Sequence, residues 1–420
     1  MRTPLLLSLM LFTARLFAQV PPDTSQKVIP GRMNSAAQQQ KPYVIFISAD
    51  GFRWDLADKW HATNLLTLRA SGVAAEKMIP SYPSVTFPNH YSLATGLYPS
   101  HHGIVDNTFY DPKKGKGYRI SDKATVADSS WYGGTPIWAL AEQQHMVSAN
   151  FFWVGSEAPI QGLFATYYYK FNSVMSMDDR LQVMKNWLTL PEAQRPHLLL
   201  FYMYQVDHEE HTHGPDSKEA GEAVHLVDDV IGKMTRMVDS LHLPVNYIFV
   251  SDHGMAAIDT LHGGISLPPS IDTTKFIVSG SETLRHLYAR DKKDVPSMYE
   301  TLKKQADGFT VYLPDETPAR WHYTSRDDRY GRMGDILLTT KYPRMFYLKN
   351  NRLIAGEHGF DNAIPNMGAT FYAWGPAFKQ GLTIPAFENV NVYPLIAYIL
   401  GLSLPAGIDG KLEVLKGVLK

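Results

Sequence analysis

The sequence predicts an α/β fold in which helices cover both faces of a mostly parallel sheet. Three apolar runs have the length and the continuous apolar character of strands buried on both faces. They begin at Tyr43, His197 and Val245. Helical patterns alternate with these runs, at roughly 61–71, 135–144, 178–189 and 217–241. This alternation of strand and helix along one chain indicates an α/β sandwich.

Each of the three predicted strands ends at an aspartate: Asp50, Asp207 and Asp252. In open α/β sheets, ligands bind beyond the carboxyl ends of the strands. Taken singly, an aspartate in this position is usually a helix cap. Three of them at one edge of a sheet predict a shared functional site.

Residues 41–420 are predicted to form one domain, with a smaller lobe or long insertion at 259–345. The pattern there is more mixed than elsewhere: a helix is expected near 295–306, and strand-like segments such as FTVYLP follow it. No linker separates this part cleanly from the rest, so we expect it to pack on the main body.

The first 18 residues have the features of a secretory signal peptide, with Arg2 before a short apolar stretch and Ala18 as a plausible cleavage residue. An uncleaved anchor is the alternative. Residues 19–40 are polar and rich in Gln, Ser and Pro, which predicts a flexible leader. No later segment reaches about 18 uninterrupted apolar residues, so we expect no membrane span in the mature protein.

The composition indicates the cellular location of the protein and the kinds of partner that it binds. The chain has no cysteine, which fits a bacterial periplasm better than an animal secretory route, so a periplasmic or secreted protein is predicted. Its 40 basic and 41 acidic residues give no excess charge. We therefore expect no binding to a nucleic-acid scaffold, and recognition of any substrate must be local.

The stretch YPSVTFPNH, residues 82–90, surrounds a single threonine hydroxyl with two prolines. Proline is favoured in the first turn of a helix, where its missing N–H costs nothing. The stretch therefore predicts that Thr86 lies near a helix N-terminus, where backbone N–H groups and the helix dipole favour an anion. A plain structural loop is the alternative that this stretch alone leaves open.

Histidines add a second kind of candidate ligand to the aspartates: His211, His253 and His358. Three carboxylates and three imidazoles suit two zinc-like ions. Two such ions about 4 Å apart can hold the attacking and leaving oxygens of an in-line displacement at phosphorus. A threonine hydroxyl, too weak an acid to attack at neutral pH, then becomes a candidate nucleophile. A histidine taken alone is more often a core or surface residue.

The chain resembles the nucleotide pyrophosphatase/phosphodiesterases of the alkaline phosphatase superfamily, in their bacterial periplasmic type. The matching segments follow the family's order and are ADGFR (49–53), PSVTFPNHYSLATGLYPSHHGIVDNTFYDP (83–112), HTHGPDS (211–217), SDHGM (251–255), RWHY (320–323), GDILL (334–338) and GEHGFDNAIPNMGATFYAWGPAF (356–378). The resemblance implies an alkaline phosphatase-like three-layer α/β/α sandwich with a smaller inserted lobe.

The resemblance also implies a role for each candidate residue, with two Zn²⁺ ions per chain. One ion would be held by Asp50, Thr86, Asp252 and His253, and the other by Asp207, His211 and His358. Asn107 would donate a hydrogen bond to a phosphoryl oxygen. Phe87 and Tyr168 would form the walls of a nucleobase slot, although the register among Tyr167, Tyr168 and Tyr169 is open.

One segment departs from the family pattern. Glu210 stands where a glycine commonly precedes the second-site histidine, so the loop is expected to differ. His208 and His213 are expected to be bystanders, as are His101, His102 and His262.

The implied function is hydrolysis of nucleotide phosphodiester and pyrophosphate bonds to nucleoside 5′-monophosphates through a phospho-threonine intermediate. A phosphomonoesterase, a lipid-headgroup (choline) phosphodiesterase or a phosphonate hydrolase of the same fold is the alternative, and a catalytically inactive binding protein is a further one. Residues 150–164 contain no Lys or Arg, which favours diesters over monoesters because a monoester's second charge needs a cationic partner.

Overall fold

The computed structural model of the protein describes residues 23–348 and 352–420, so the predicted signal peptide, residues 1–18, lies outside it. The strands, in chain order, are β1 (Lys27–Val28), β2 (Tyr43–Ala49), β3 (Val73–Ala75), β4 (Met78–Ile79), β5 (Thr108–Asp111), β6 (Lys116–Arg119), β7 (Ser148–Phe151), β8 (Tyr167–Tyr169), β9 (Leu198–Met203), β10 (Val245–Val250), β11 (Ala256–Ala257), β12 (Gly264–Ile265), β13 (Phe276–Ser279), β14 (Leu284–Ala289), β15 (Phe309–Tyr312), β16 (Ile336–Thr340), β17 (Met345–Phe346), β18 (Gly356–Glu357), β19 (Phe371–Trp374), β20 (Leu382–Ile384) and β21 (Phe387–Glu388).

The α-helices, in chain order, are α1 (Leu56–Lys59), α2 (Thr63–Ser71), α3 (Thr86–Thr95), α4 (Pro99–His102), α5 (Lys123–Val126), α6 (Ile137–Gln143), α7 (Met177–Leu188), α8 (Gln205–His213), α9 (Lys218–Asp239), α10 (Val295–Gln305), α11 (Val392–Leu400) and α12 (Leu412–Leu415). Four of them, α2, α6, α7 and α9, coincide with the four helical patterns of the sequence to within a few residues. Across the described ranges, no helix is both long and apolar enough to cross a bilayer.

A nine-stranded sheet forms the centre of the molecule, in the order β1-β8-β7-β9-β2-β10-β19-β3-β20. Strands β8, β7, β9, β2 and β10 run parallel to one another, and β19 runs antiparallel to its neighbours β10 and β3. Every residue of β2, β9 and β10 is buried, as their apolar sequences predict. The mostly parallel sheet predicted from the sequence is therefore confirmed.

Helices cover both faces of this sheet because alternate residues of each central strand point to opposite sides. Val44 and Phe46 of β2 belong to a hydrophobic core shared with α3, α6 and α11. Ile45 and Ile47 belong to a second core shared with α2, α7 and α9. The result is the three-layer α/β/α sandwich that the sequence predicts.

A four-stranded antiparallel sheet, in the order β13-β14-β16-β15, lies within the stretch 259–345 that was predicted to be a smaller lobe. Helix α10 packs on it, and the two share a separate hydrophobic core that includes Leu287, Leu302 and Phe309. We call this part the inserted lobe.

The prediction of a flexible leader at 19–40 is wrong for its described part, residues 23–40. Strand β1 pairs with β8 and extends the central sheet. Asn34 is 4% exposed, and its amide donates to the carbonyls of Glu192 and Arg195 while its Oδ1 accepts from the backbone N–H of Val147. These polar side chains are used in long-range hydrogen bonds, which a local composition does not reveal.

Candidate active site

Thr86 is the first residue of helix α3, as the sequence predicts. Its neighbour Val85 is extended, and the side-chain amide of Asn89 donates to the carbonyls of Pro83 and Val85, which fixes the turn into the helix. Pro88 falls in the first turn, where backbone N–H groups have no partner within the helix. The Thr86 hydroxyl therefore lies at the positive end of a helix, 3.4 Å from Nε2 of His253.

Two of the predicted aspartates lie just after strands of the central sheet. Asp50 directly follows β2, and its Oδ2 accepts a 2.6 Å hydrogen bond from the hydroxyl of Tyr202. Asp252 lies two residues after β10, and its Oδ1 accepts from the N–H of Gly51 at 3.2 Å. Because β2 and β10 are adjacent and parallel, the two carboxylates meet at one edge of the sheet.

Asp207 reaches the same place from a helix, which corrects the prediction that it ends a strand. Strand β9 stops at Met203, and Asp207 and His211 are four residues apart on α8. This spacing brings the two side chains to one face of the helix, with Asp207 Oδ1 3.3 Å from His211 Nε2. His358, directly after β18, brings its Nε2 to 3.6 Å from the same oxygen.

The predicted Asp and His ligands, together with His90, form connected clusters that could hold metal ions: Asp207, His211 and His358; Asp50, Asp207 and His253; and Asp50, His90 and Asp252. His253 links them, because its Nε2 lies 2.9 Å from Asp252 Oδ2 and 3.5 Å from Asp50 Oδ1. The structure thus brings all six predicted Asp and His ligands together around Thr86.

The hydrogen bonds of the imidazoles fit metal binding. The Nδ1 atoms of His211, His253 and His358 lie 2.8, 3.0 and 3.1 Å from the backbone carbonyls of Gly356, Gly254 and Ser84. A carbonyl only accepts, so each Nδ1 carries the hydrogen and each Nε2 keeps its lone pair for the site. Buried oxygens of Asp50, Asp207 and Asp252 likewise have no donor among the described residues.

The electrostatics of the cluster also favour a cation. Burial, together with the charges of Asp252 and Asp207, raises the pKa of the Asp50 carboxyl well above its usual range. Burial acts on Asp252 too, but the imidazoles of His253 and His90 hold the pKa of its carboxyl well below the usual range. Carboxylates this close repel one another, and a divalent ion between them removes the repulsion.

His90 is a site residue that the sequence interpretation missed. It lies one turn after Thr86 on α3 and is fully buried. Its Nδ1 lies 3.0 Å from the Thr86 carbonyl and 3.3 Å from Asp252 Oδ2, and its Nε2 lies 2.8 Å from the hydroxyl of Ser48. The spacing of four residues from Thr86 on a predicted helix was the signal that could have found it.

Asn107 lies next to the first turn of α3. Its side-chain Oδ1 accepts a 2.9 Å hydrogen bond from the backbone N–H of Phe87. With the oxygen held in this way, the amide nitrogen is the group left to donate, and no acceptor for it lies within the described ranges. This arrangement agrees with the predicted role of a donor to a phosphoryl oxygen.

Phe87 lines a cavity of about 470 Å³ whose wall also includes Thr86 and Asp50. The predicted partner of Phe87, Tyr168, is wrong. Its ring is 7% exposed, stacks on Phe164 at 4.9 Å and does not line the cavity. Phe171, 44% exposed, is the aromatic side chain after β8 that lines the cavity with Phe87. Strand β8 buries all three consecutive tyrosines, so the exposed aromatic comes only after the strand ends.

Charged side chains at the rim of this cavity were also missed. Lys123 and Lys170 contribute to its wall, together with Glu157, whose Oε1 accepts from the backbone N–H of Phe171. None of them lies within the family-like segments quoted above, and nothing local distinguished them from other surface charges.

A second cavity, of about 710 Å³, also adjoins the cluster. Its wall includes His211, His358 and Asn107, as well as Glu282 and Glu357. Ligand residues therefore lie in the walls of both cavities, which leave space for a substrate next to the cluster.

The sequence predicted a loop around Glu210, but this residue lies on helix α8. It is fully buried, and burial raises the pKa of its carboxyl well above the usual range.

The histidines predicted to be bystanders lie outside the ligand clusters. His101 binds Asp409, His102 contacts Ser92, His213 is 3.5 Å from Glu209, His262 contacts Asp259, and His208 packs near Tyr204.

The fold and the site together define an alkaline phosphatase-like α/β protein with a threonine at the centre of an Asp/His cluster. Residues 44–361 match the model of the type I phosphodiesterase/nucleotide pyrophosphatase family. The chain belongs to this family, which confirms the family resemblance of the sequence.

Similar proteins cover most of the chain. Ectonucleotide pyrophosphatase/phosphodiesterase family member 1 of Mus musculus is 32% identical over an alignment of 413 residues that covers 91% of this chain and 43% of the mouse protein. An uncharacterized pyrophosphatase/phosphodiesterase of Schizosaccharomyces pombe is 34% identical over an alignment of 392 residues that covers 89% of this chain and 80% of that protein. The chain thus spans less than half the length of the mouse relative.

Solved structures show the same fold. Murine ectonucleotide pyrophosphatase/phosphodiesterase 5 superposes with a TM-score of 0.83 at 29% identity, covering 90% of this chain and 100% of the murine one. An inactive threonine-to-alanine variant of that murine protein, in complex with AMP, superposes with the same TM-score at 28% identity and the same coverage. The relatives named here are eukaryotic, and the bacterial periplasmic type stays a prediction.

Proposed function

We propose that this protein is a metal-dependent phosphodiesterase that cleaves nucleotide phosphodiester and pyrophosphate bonds and releases nucleoside 5′-monophosphates. The observation that carries the proposal is the position of Thr86. Its hydroxyl lies at a helix N-terminus, within 3.4 Å of the ligand cluster, and in the wall of the cavity lined by Phe87 and Phe171. The Thr86 hydroxyl therefore lies next to a site for anions and next to an aromatic cavity.

Thr86 Oγ1 attacks phosphorus, and the bond from phosphorus to the leaving oxygen breaks as a phospho-threonine forms. Water then hydrolyses this ester, which releases the monophosphate and restores the threonine. The N-terminus of α3 and the amide nitrogen of Asn107 stabilise the negative charge that grows on the phosphoryl oxygens. The rigid turn before α3 holds the nucleophile for in-line attack.

The residues present fit two zinc ions per chain. Asp50, Thr86, Asp252 and His253 would hold one ion, with His90 behind them, and Asp207, His211 and His358 would hold the other. Bound zinc supplies Lewis acidity, which favours the ionised hydroxyl and offsets the charge of the phosphoryl group. The protein's part is to present unprotonated Nε2 atoms and unpaired carboxylate oxygens, as described above.

A nucleotide is the proposed substrate because aromatic side chains line the cavity beside Thr86, namely Phe87, Phe152, Trp153, Phe171 and Tyr202. Stacking between Phe87 and Phe171 would hold a base without reading its edges, so we expect tolerance of different bases. Binding of AMP by an inactive variant of the murine relative agrees with this proposal.

We further propose that the protein is exported to the periplasm or the exterior. The absence of cysteine and the features of residues 1–18 support this proposal. Expression of the full chain in a bacterial host, followed by fractionation and N-terminal sequencing, tests it. A mature product in the periplasm that begins after Ala18 is expected, and an unprocessed cytoplasmic protein would contradict it.

The function is tested by product analysis with four substrates: a pyrophosphate-linked dinucleotide, an aryl nucleotide diester, an aryl monoester and an aryl choline phosphodiester. We expect nucleoside 5′-monophosphate from the first two, and little turnover of the others. The highest kcat/KM on the choline diester would support the lipid-headgroup alternative, and turnover of none of them would support a binding protein.

A further inference from the structure

The segment that carries Asn107, residues 103–111, pairs with β6 at its end and is also held by the inserted lobe. Lobe side chains bind its backbone or side chains at several places. The contacts are Arg332 to the Gly103 carbonyl at 2.8 Å, Tyr323 to the Val105 carbonyl at 2.9 Å, Tyr288 Oη to the Tyr110 N–H at 3.2 Å, and Arg332 to the Asp111 carboxylate at 2.9 Å. The lobe therefore fixes the path of a segment that reaches into the active site.

Asp106 is the centre of these contacts and the residue next to Asn107. It is fully buried, and its Oδ1 accepts a 2.6 Å hydrogen bond from the backbone N–H of Asn107. Its Oδ2 accepts from the N–H and the hydroxyl of Ser281, both at 3.1 Å, and from Nε2 of His286 at 3.0 Å. One carboxylate thus joins the proposed phosphoryl-oxygen donor to two residues of the lobe.

His286, on strand β14, is suited to hold this carboxylate. It is fully buried, and its Nδ1 lies 2.7 Å from the Met333 carbonyl. The two ring nitrogens therefore face two oxygens, one on the backbone of the inserted lobe and one on the Asp106 carboxylate. A hydrogen bond that an imidazole N–H donates to a buried carboxylate is directional and holds the carboxylate in one orientation.

Neither Asp106 nor His286 lines either cavity beside the ligand cluster. Asp106 is bonded to Asn107 and to Ser281, which both line the second cavity, so an effect of the pair on catalysis would pass through these two neighbours. The side chain of Asn107 is held at one end by the Phe87 N–H, and its backbone is held by Asp106 and by the N–H of Ile120, which donates to the Asn107 carbonyl at 3.2 Å.

We propose that His286 and Asp106 are positioning residues, through which the inserted lobe sets the place of Asn107 for the phosphoryl group. The inference rests on the proposed function for the role of Asn107, but the mechanical link from lobe to segment does not depend on it. The inserted lobe then contributes to catalysis by positioning Asn107, although it lies outside the central sheet.

Two substitutions of His286 form a matched pair. Glutamine places its amide nitrogen near the position of Nε2 and keeps the donor to Asp106, whereas asparagine places its amide nitrogen near Nδ1 and keeps only the donor to Met333. We expect His286→Asn to lower kcat about tenfold or more with KM for an aryl nucleotide diester within twofold, and His286→Gln to keep at least half of kcat.

A double-mutant cycle separates positioning from general damage. In an Asn107→Ala background, His286→Asn should lower kcat by less than twofold, since there is no side chain left to misplace. Tyr323→Phe removes a lobe contact to the same segment without touching Asp106, and kcat should stay within twofold. Equal losses in His286→Asn and His286→Gln, or an undiminished loss in the Asn107→Ala background, would overturn the proposal.

Hydrogen exchange of the peptide covering 103–111 gives a readout that does not need turnover. Faster exchange in His286→Asn than in His286→Gln and wild type is expected, and Ser281→Ala, which removes one donor to the same oxygen, should lie between. Equal exchange in all of them would refute the link between lobe and segment. A wild-type protein with no phosphodiesterase activity would instead refute the proposed function, and the exchange experiment would still decide the link.

Discussion

The ligand side and the aromatic side of the active site are built in different ways. Asp50 and Asp252 are 1% and 0% exposed, and three imidazoles are tied to backbone carbonyls. On the aromatic side, Phe171 is 44% exposed and follows the end of a strand. Buried and bonded groups keep one geometry, whereas the ring of Phe171 has one side against the rings of Phe152, Tyr202 and Tyr204 and the rest in solvent. The difference suggests that the chemistry is fixed by the scaffold, while substrate choice rests on a surface that can change without harm to the core.

The largest effect is expected on the ligand side, from Thr86→Ala. Loss of the nucleophile should lower kcat by about a thousandfold or more, while thermal unfolding and much of the metal content stay close to wild type because the other ligands remain. Steady-state kinetics and metal analysis measure this, and Thr86→Ser, which keeps a hydroxyl, is the matched control. An alanine variant with more than about a tenth of the wild-type rate would exclude Thr86 as the nucleophile, since such a loss is only ~1 kcal/mol of barrier.

Removal of metal should have an effect of similar size. A chelator is expected to abolish turnover, and added zinc is expected to restore it, because unpaired oxygens of Asp50, Asp207 and Asp252 repel one another without a cation. Metal analysis should find two zinc-sized ions per chain. Full activity in a metal-free preparation would contradict the proposed metal dependence of the ligand side.

Discrimination between ester types should be smaller. We expect kcat/KM for p-nitrophenyl thymidine 5′-monophosphate to exceed that for p-nitrophenyl phosphate by about tenfold or more, since an extra anionic oxygen without a partner costs at least ~1.4 kcal/mol. Residues 150–164 offer no cation, although Lys123 and Lys170 lie at the cavity rim. A monoester rate equal to the diester rate would show that rim lysines or other groups supply the missing charge. Lys123→Ala and Lys170→Ala would then identify which.

The smallest effects are expected on the aromatic side. Phe171→Ala should raise KM for a nucleotide diester about fivefold, which corresponds to the lower limit of ~1 kcal/mol for a lost stacking contact, with little change for bis(p-nitrophenyl) phosphate, which has no base. Tyr168→Ala is the control at the residue that the sequence first indicated, and KM should stay within twofold for both substrates because its ring stacks on Phe164 away from the cavity. A larger KM effect at Tyr168 than at Phe171 would reverse the assignment.

The sequence predicted the ligand side better than the aromatic side for a physical reason. Asp50 and Asp252 follow continuous apolar strands, and the carboxyl ends of parallel strands converge on one edge, so the pattern locates them. Thr86 was located by the prolines around it. Four of the five residues at 167–171 are aromatic, and no local pattern tells which ring faces a cavity and which faces the core.

Other features depend on contacts between distant parts of the chain. Helix α8 has three carboxylates and three histidines among its nine residues and little apolar periodicity, so its sequence does not predict a helix. The pair Asp106 and His286 is separated by 180 positions, and the bonds of Asn34 cross more than 100. Such contacts form only when the whole fold brings the partners together.

The pairing of residues 27–28 with β8 has a consequence for the handling of the protein. Without that segment, β8 would present a row of unpaired backbone groups next to three tyrosines, which is a template for joining another chain. A two-residue strand that begins with a lysine is too short and too charged to serve as such a template. Truncated variants that start at residue 41, just before the apolar run, are therefore expected to self-associate and aggregate, whereas variants that keep residues 23–40 are expected to stay monodisperse under the same conditions.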